Sequence, residues 1–167
     1  AYYGGGAICG GDHYGTHKGA MVKILGGSFI GNVSEHSYGG AINLVGLYPL
    51  IIINSTFTGN SAPEGLGGAI YVHHDGSAYD TKHIVFGGKV NITGNTGHTY
   101  RVDKANNIEG NFLVAQAMGL ESSGNVVVPN MPLSSDSKIG LNVTGMSEIR
   151  NQKITQDDQS GITKDIV

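Results

Sequence analysis

The sequence predicts an all-β fold, a single-stranded parallel β-helix of about five to seven coils, and three observations carry that expectation. Two short motifs alternate through residues 4–97. Glycine makes up 28 of the 167 residues, where ordinary usage is roughly 7%. Apolar residues come in short β-branched runs, and none reaches the ~18–20 residues of a membrane span.

The first motif, Gly-Gly-Ala-Ile, stands at residues 5–8, 39–42 and 67–70. The second, Phe-x-Gly-Asn, stands at 29–32 and 57–60, and 92–95 keeps it with Ile92 in place of Phe. The middle unit is 28 residues long, and the first and third are longer. Between the motifs lies a third apolar run, at 20–25, 50–53 and 84–86. Each unit therefore reads as strand, bend, strand, bend, strand, with runs too short for long hairpins. Stacked coils would lie about 4.8 Å apart.

Residue chemistry suits each place in the coil. Paired glycines at Gly5 and Gly6, Gly39 and Gly40, and Gly67 and Gly68 permit a sharp corner beneath a neighbour. The alanine that follows fits a crowded corner, and the isoleucine fills the core. Asn32, Asn60 and Asn95 are expected to stack at another corner, where an amide can serve turn backbone groups and its neighbours. Phe29, Phe57 and Ile92 should form an apolar stack three residues earlier.

Composition excludes several classes. Glycine follows no three-residue period and there are four prolines, so collagen is out. Runs such as 50–53 must be buried, which argues against disorder. Net charge is −3 with charges scattered, so neither a nucleic-acid partner nor direct membrane insertion is expected. Cys9 is the single cysteine, which excludes an internal disulfide. Lying beside Ile8 and lacking a catalytic arrangement, it is expected to be a small buried hydrophobe. The sequons at Asn32, Asn54, Asn91 and Asn142 are explained by strand and turn composition. The chain is read as a mature or excised segment of something longer.

Gly-Gly-Ala-Ile alternating with Phe-x-x-Asn resembles the repeats of the chlamydial polymorphic membrane protein family and related adhesin-like bacterial surface proteins. That resemblance covers roughly residues 4–97. It implies a right-handed β-helix displayed on the bacterial cell surface, outside the cell. Ile92 and the long insertions of the first and third units depart from the pattern.

Beyond Asn95 the motifs stop, although 106–114, 125–129 and 138–143 still read as short strands. The expected organisation is a β-helix over 1–145, with repeat coils at 4–97 and irregular coils or a cap at 98–145. Residues 146–167 read as a polar C-terminal extension that covers an edge or links to a neighbouring domain. Residues 87–95, with 137–141 further on, are loosely similar to a segment common in large Gram-positive surface proteins.

Candidate chemistry concentrates in two insertions after the Gly-Gly-Ala-Ile strands, 10–19 and 73–83. Asp12, His13, His17, His73, His74, Asp75, Asp80 and His83 could together ligate a divalent metal, since imidazole and carboxylate both suit such ions. The competing expectation is an ordinary solvated loop with no cofactor, because no tight ligand spacing is present. Tyr14, Tyr48 and Tyr79, with His13, His17, His73 and His74, form a candidate binding face for a host protein or glycan. Asp75, Asp80 and Lys82 are the best local set for an enzyme, and Arg101 with Asp103 a weaker one. The expectation is a non-catalytic extracellular adhesion, binding or stalk module. A secreted polysaccharide lyase or glycoside hydrolase, and a purely structural spacer, are the alternatives.

Overall fold

The computed structural model describes residues 4–11, 22–45, 50–73, 83–98, 104–105, 108–110, 113–118, 121–122, 126–127, 130–142 and 162–165. These residues form strands and turns, with no helix among them. The class is all-β. In chain order the strands are β1 (Ile8–Gly11), β2 (Val22–Ile24), β3 (Gly27–Ile30), β4 (Ile42–Val45), β5 (Leu50–Ile53) and β6 (Ser55–Thr58). They continue as β7 (Ser61–Ala62), β8 (Ile70–His73), β9 (His83–Gly87), β10 (Asn91–Thr93), β11 (Thr96–Gly97), β12 (Lys104–Ala105) and β13 (Ile108–Gly110). The last are β14 (Leu113–Met118), β15 (Glu121–Ser122), β16 (Val126–Val127), β17 (Asn130–Met131), β18 (Lys138–Asn142) and β19 (Ile162–Asp165).

Pairing joins like with like across the repeat. One sheet runs β1-β4-β8-β13, a second β2-β5-β9-β14-β17, and a third β3-β6-β10-β18-β19. All pairs are parallel in the first and third sheets, and in the second up to β14. Antiparallel pairing enters only beyond the motifs, as β14 with β17, β11 with β12 and β15 with β16. The registers match the motifs: Ile8, Ile42 and Ile70 are partners, as are Phe29, Phe57 and Ile92.

Strand alternation sends one side chain in two to a shared core. Ile42, Leu44, Leu50, Ile52, Phe57, Ile70, Val72, Ile84, Phe86, Ile92, Ile108 and Ile139 lie in it, nearly all without exposed surface. Full burial of one such side chain stabilises the fold by about 1.5–3 kcal/mol. The Phe29 and Phe57 rings stack at 4.6 Å between centroids with only 2° between their planes. That parallel overlap follows from strands held in register.

The Gly-Gly corner has two separate causes. Gly39 and Gly67 adopt φ of 67° and 71°, in the left-handed region that side chains disfavour. Gly40 has ordinary φ but no room: a Cβ there would fall on the Gly68 carbonyl oxygen and within 2.6 Å of Ser61 backbone atoms. Conformation demands the first glycine and the next unit demands the second.

The first unit departs from the expectations set by its repeats, because its strands end all three main sheets. Ala7 is exposed whereas Ala41 and Ala69 are fully buried, and Phe29 is half-buried where Phe57 is fully so. Cys9 corrects the sequence reading. It is exposed, not buried, because alternation turns it away from Ile8 on the end strand β1.

Candidate functional site

Two recurring positions organise the corners. At the first, the Asn32 backbone N–H and side-chain amide both donate to Asn60 Oδ1, at 3.0 and 2.8 Å. Asn60 repeats both bonds one unit on, to Asn95 Oδ1 at 3.0 and 2.8 Å. Each amide also reaches back: Asn60 Nδ2 donates to the Phe29 carbonyl at 2.9 Å and Asn95 Nδ2 to the Phe57 carbonyl at 3.1 Å. Asn60 and Asn95 are fully buried, so these bonds satisfy groups that water cannot reach. Gly31, Gly59 and Gly94, just before them, turn the chain with φ of 66°, 64° and 68°.

The second position escaped the sequence reading because its residue type changes. Gly26, Asn54 and Gly88 all have positive φ, at 131°, 49° and 61°. Asn54 tolerates this as a short polar residue whose Oδ1 accepts the Lys89 N–H at 2.9 Å.

The insertions begin and end on aligned strands. Gly11, Val45 and His73, the last residues of β1, β4 and β8, lie in register, as do Val22, Leu50 and Ile84 where the chain rejoins the second sheet. The strand ends that flank 12–21, 46–49 and 74–82 are therefore aligned on both sheets. Of the candidate residues, His73 ends β8 and His83 opens β9. Asp12, His13, Tyr14, His17, Tyr48, His74, Asp75, Tyr79 and Asp80 lie outside the described residues, as do Lys82, Arg101 and Asp103. Among the described residues no group of three or more His, Cys, Asp or Glu side chains could hold a metal ion.

The outward face of the first sheet carries features that motif analysis passed over. Cys9, Asn43 and Tyr71 are register partners. Tyr38, from the turn before β4, stacks on Tyr71 at 4.5 Å between centroids with 21° between the rings. Asn43 is fully buried beside this pair, yet among the described residues neither its Oδ1 nor its Nδ2 has a hydrogen-bond partner, and the same holds for Ser37 Oγ. On the adjacent turn His36 Nδ1 meets Glu64 Oε2 at 2.9 Å, the two residues standing one 28-residue unit apart. The hydrogen bond to Glu64, then its charge, raises the His36 pKa above the ordinary histidine value. That spacing was the available signal, since residues one unit apart are placed one above the other.

Comparison with known proteins adds no assignment: no family model, curated protein or solved structure matches the chain. No described helix is long and apolar enough to cross a membrane.

Proposed function

We propose that this chain is a right-handed parallel β-helix serving as a non-catalytic adhesion, binding or stalk module of a bacterial cell-surface protein. The observation that carries the reading is the register: each Gly-Gly-Ala-Ile isoleucine pairs with the next, and each Phe-x-Gly-Asn aromatic or isoleucine does likewise. Motifs that resemble chlamydial polymorphic membrane protein repeats thus sit where a stacked solenoid would need them. Right-handedness and surface display are what that resemblance implies.

Within this reading the insertions 12–21 and 74–82 form the recognition face, since their anchoring strands are aligned. Tyrosines and histidines there supply contact area and hydrogen-bonding tips suited to a host protein or glycan. The test replaces both insertions with connections as short as 46–49 and compares intact and shortened chains on glycan and host-protein arrays. Binding by the intact chain alone, with matching circular dichroism and melting, supports a recognition face. Failure of the intact chain to bind anything overturns that face and leaves the stalk role.

A further inference from the structure

Asn43 and Tyr71, outward on the first sheet, are buried, as are Ile51 and Val85, outward on the second. The third sheet differs. Thr56, Thr58, Asn91 and Thr93 keep exposed surface there, on either side of the buried Phe57 and Ile92. Their strands β6 and β10 are paired on both sides, so this exposure owes nothing to a sheet edge. We propose that the outer face of β6 and β10 is a binding site for an uncharged linear glycan, which lies across the strands. The inference stands on the strand pairings and not on the insertions, so either surface can fail without the other.

Register makes this face a grid. Ser28, Thr56, Asn91 and Lys138 form one row across β3, β6, β10 and β18, and Ile30, Thr58 and Thr93 form a second. The rows lie about 6.6 Å apart and neighbouring strands about 4.8 Å apart. Both corners that bound the sheet are tight. Gly26, Asn54 and Gly88 turn the chain before it, and Gly31, Gly59 and Gly94 after it, all with positive φ. The asparagine ladder then fixes the second corner from unit to unit. An extended chain of pyranose rings advances by about one strand spacing per ring, so successive rings would meet similar groups.

Charge and side-chain type select the class of ligand. Every grid position but Lys138 is uncharged, so a nucleic acid or other polyanion has no footprint here. No Trp, Tyr or Arg stands on the grid, which removes the anchors that a protein partner uses. A neutral glycan is the complement of what remains. Among the described residues no hydrogen bond engages the hydroxyls of Thr56 and Thr58, and each can both donate to a sugar hydroxyl and accept from one. Thr93 Oγ1 donates to Asn91 Oδ1 at 3.0 Å, which orients that amide beside them. With no ring to stack on, each sugar contributes little, and binding grows with the number of rings engaged.

The test titrates the isotope-labelled full chain with cellohexaose, xylohexaose and mannohexaose, and follows backbone amide shifts by NMR. Hexagalacturonic acid is the charged comparison. Saturable shifts centred on residues 55–58 and 91–93 are expected from at least one neutral oligomer at millimolar concentration. A chain carrying Thr56→Val and Thr58→Val keeps side-chain shape and strand preference, and should bind about tenfold more weakly at an unchanged melting temperature. Thr56→Ser with Thr58→Ser retains both hydroxyls and should bind as the original chain does, so a lost hydroxyl and a disturbed fold are told apart. No saturable shift with any neutral hexamer overturns the proposal. So does equal binding by the valine variant, preference for the charged hexamer, or shifts centred outside the third sheet. The last of these would still leave the insertions as a glycan site.

Discussion

A single amide can be worth more inside the ladder than at its end. Replacing Asn60 removes four bonds: two received from Asn32, one given to Asn95 and one given to the Phe29 carbonyl. At about 1 kcal/mol each, less partial relaxation, Asn60→Ala should cost about 3 kcal/mol in urea unfolding. Asn32→Ala keeps its backbone bond to Asn60 and loses one side-chain bond, so about 1 kcal/mol is expected. Equal losses would mean the ladder does not act as a series. Glycines divide in the same manner. Gly31→Ala meets nothing within 4 Å and suffers only the left-handed φ, about 1 kcal/mol, whereas Gly40→Ala collides with backbone of the next unit and should prevent folding. His36 gives a sign that can be checked by NMR titration. Its folded pKa is raised by Glu64, so the pair's small contribution is complete below the ordinary histidine range and disappears as pH rises through the raised value. Glu64→Gln should lower the His36 pKa toward its ordinary value, and an unchanged titration would show that the 2.9 Å contact is not kept in solution.

At the scale of strands, β5 shows why part of the architecture could be read in advance and part could not. Its four apolar residues are all buried, although alternation aims only Leu50 and Ile52 at the core cluster. A run without alternation is what a strand covered on both faces requires. Ile51→Ala should therefore cost about 2–4 kcal/mol in denaturant unfolding despite pointing away from the core. A change under about 0.5 kcal/mol, the usual value for a surface site, would place Ile51 on an open face instead. The strands, their order and the glycine and asparagine corners were legible because each depends on one residue type recurring at a fixed place. The Gly26, Asn54 and Gly88 corner was not, since only a positive φ is shared there while the residue changes. Burial of Asn43 was equally hidden, because what covers an outward position is decided by residues distant in sequence. With neither amide atom partnered among the described residues, Asn43→Leu should keep or raise the melting temperature. A fall of several degrees would show that the amide is satisfied.

For the molecule as a whole, the proposed solenoid makes the register of strands and corners the governing quantity, since the asparagine ladder keeps the same bonds across intervals of 28 and 35 residues. The 28-residue interval relates Phe29 to Phe57 and Asn32 to Asn60. Excision of residues 33–60 would join Asn32 directly to Ser61, which already lies beside Val33 in a parallel bridge. Phe29 would then meet Ile92, and Asn32 would donate to Asn95, with the ladder shortened and not broken. We expect this variant to fold with a β-rich circular dichroism spectrum and a single cooperative melt at lower temperature, since one unit and one interface are gone. Excision of 33–58 is the stringent control. It removes almost the same length but leaves the chain two residues out of step. Its turns then fall where strands must pair, and Gly59 and Asn60 are inserted before Ser61. That chain should fail to melt cooperatively, or unfold well below its in-register counterpart. If both variants behaved alike, stability would reside in general apolar collapse, and the proposed solenoid would lose its physical basis.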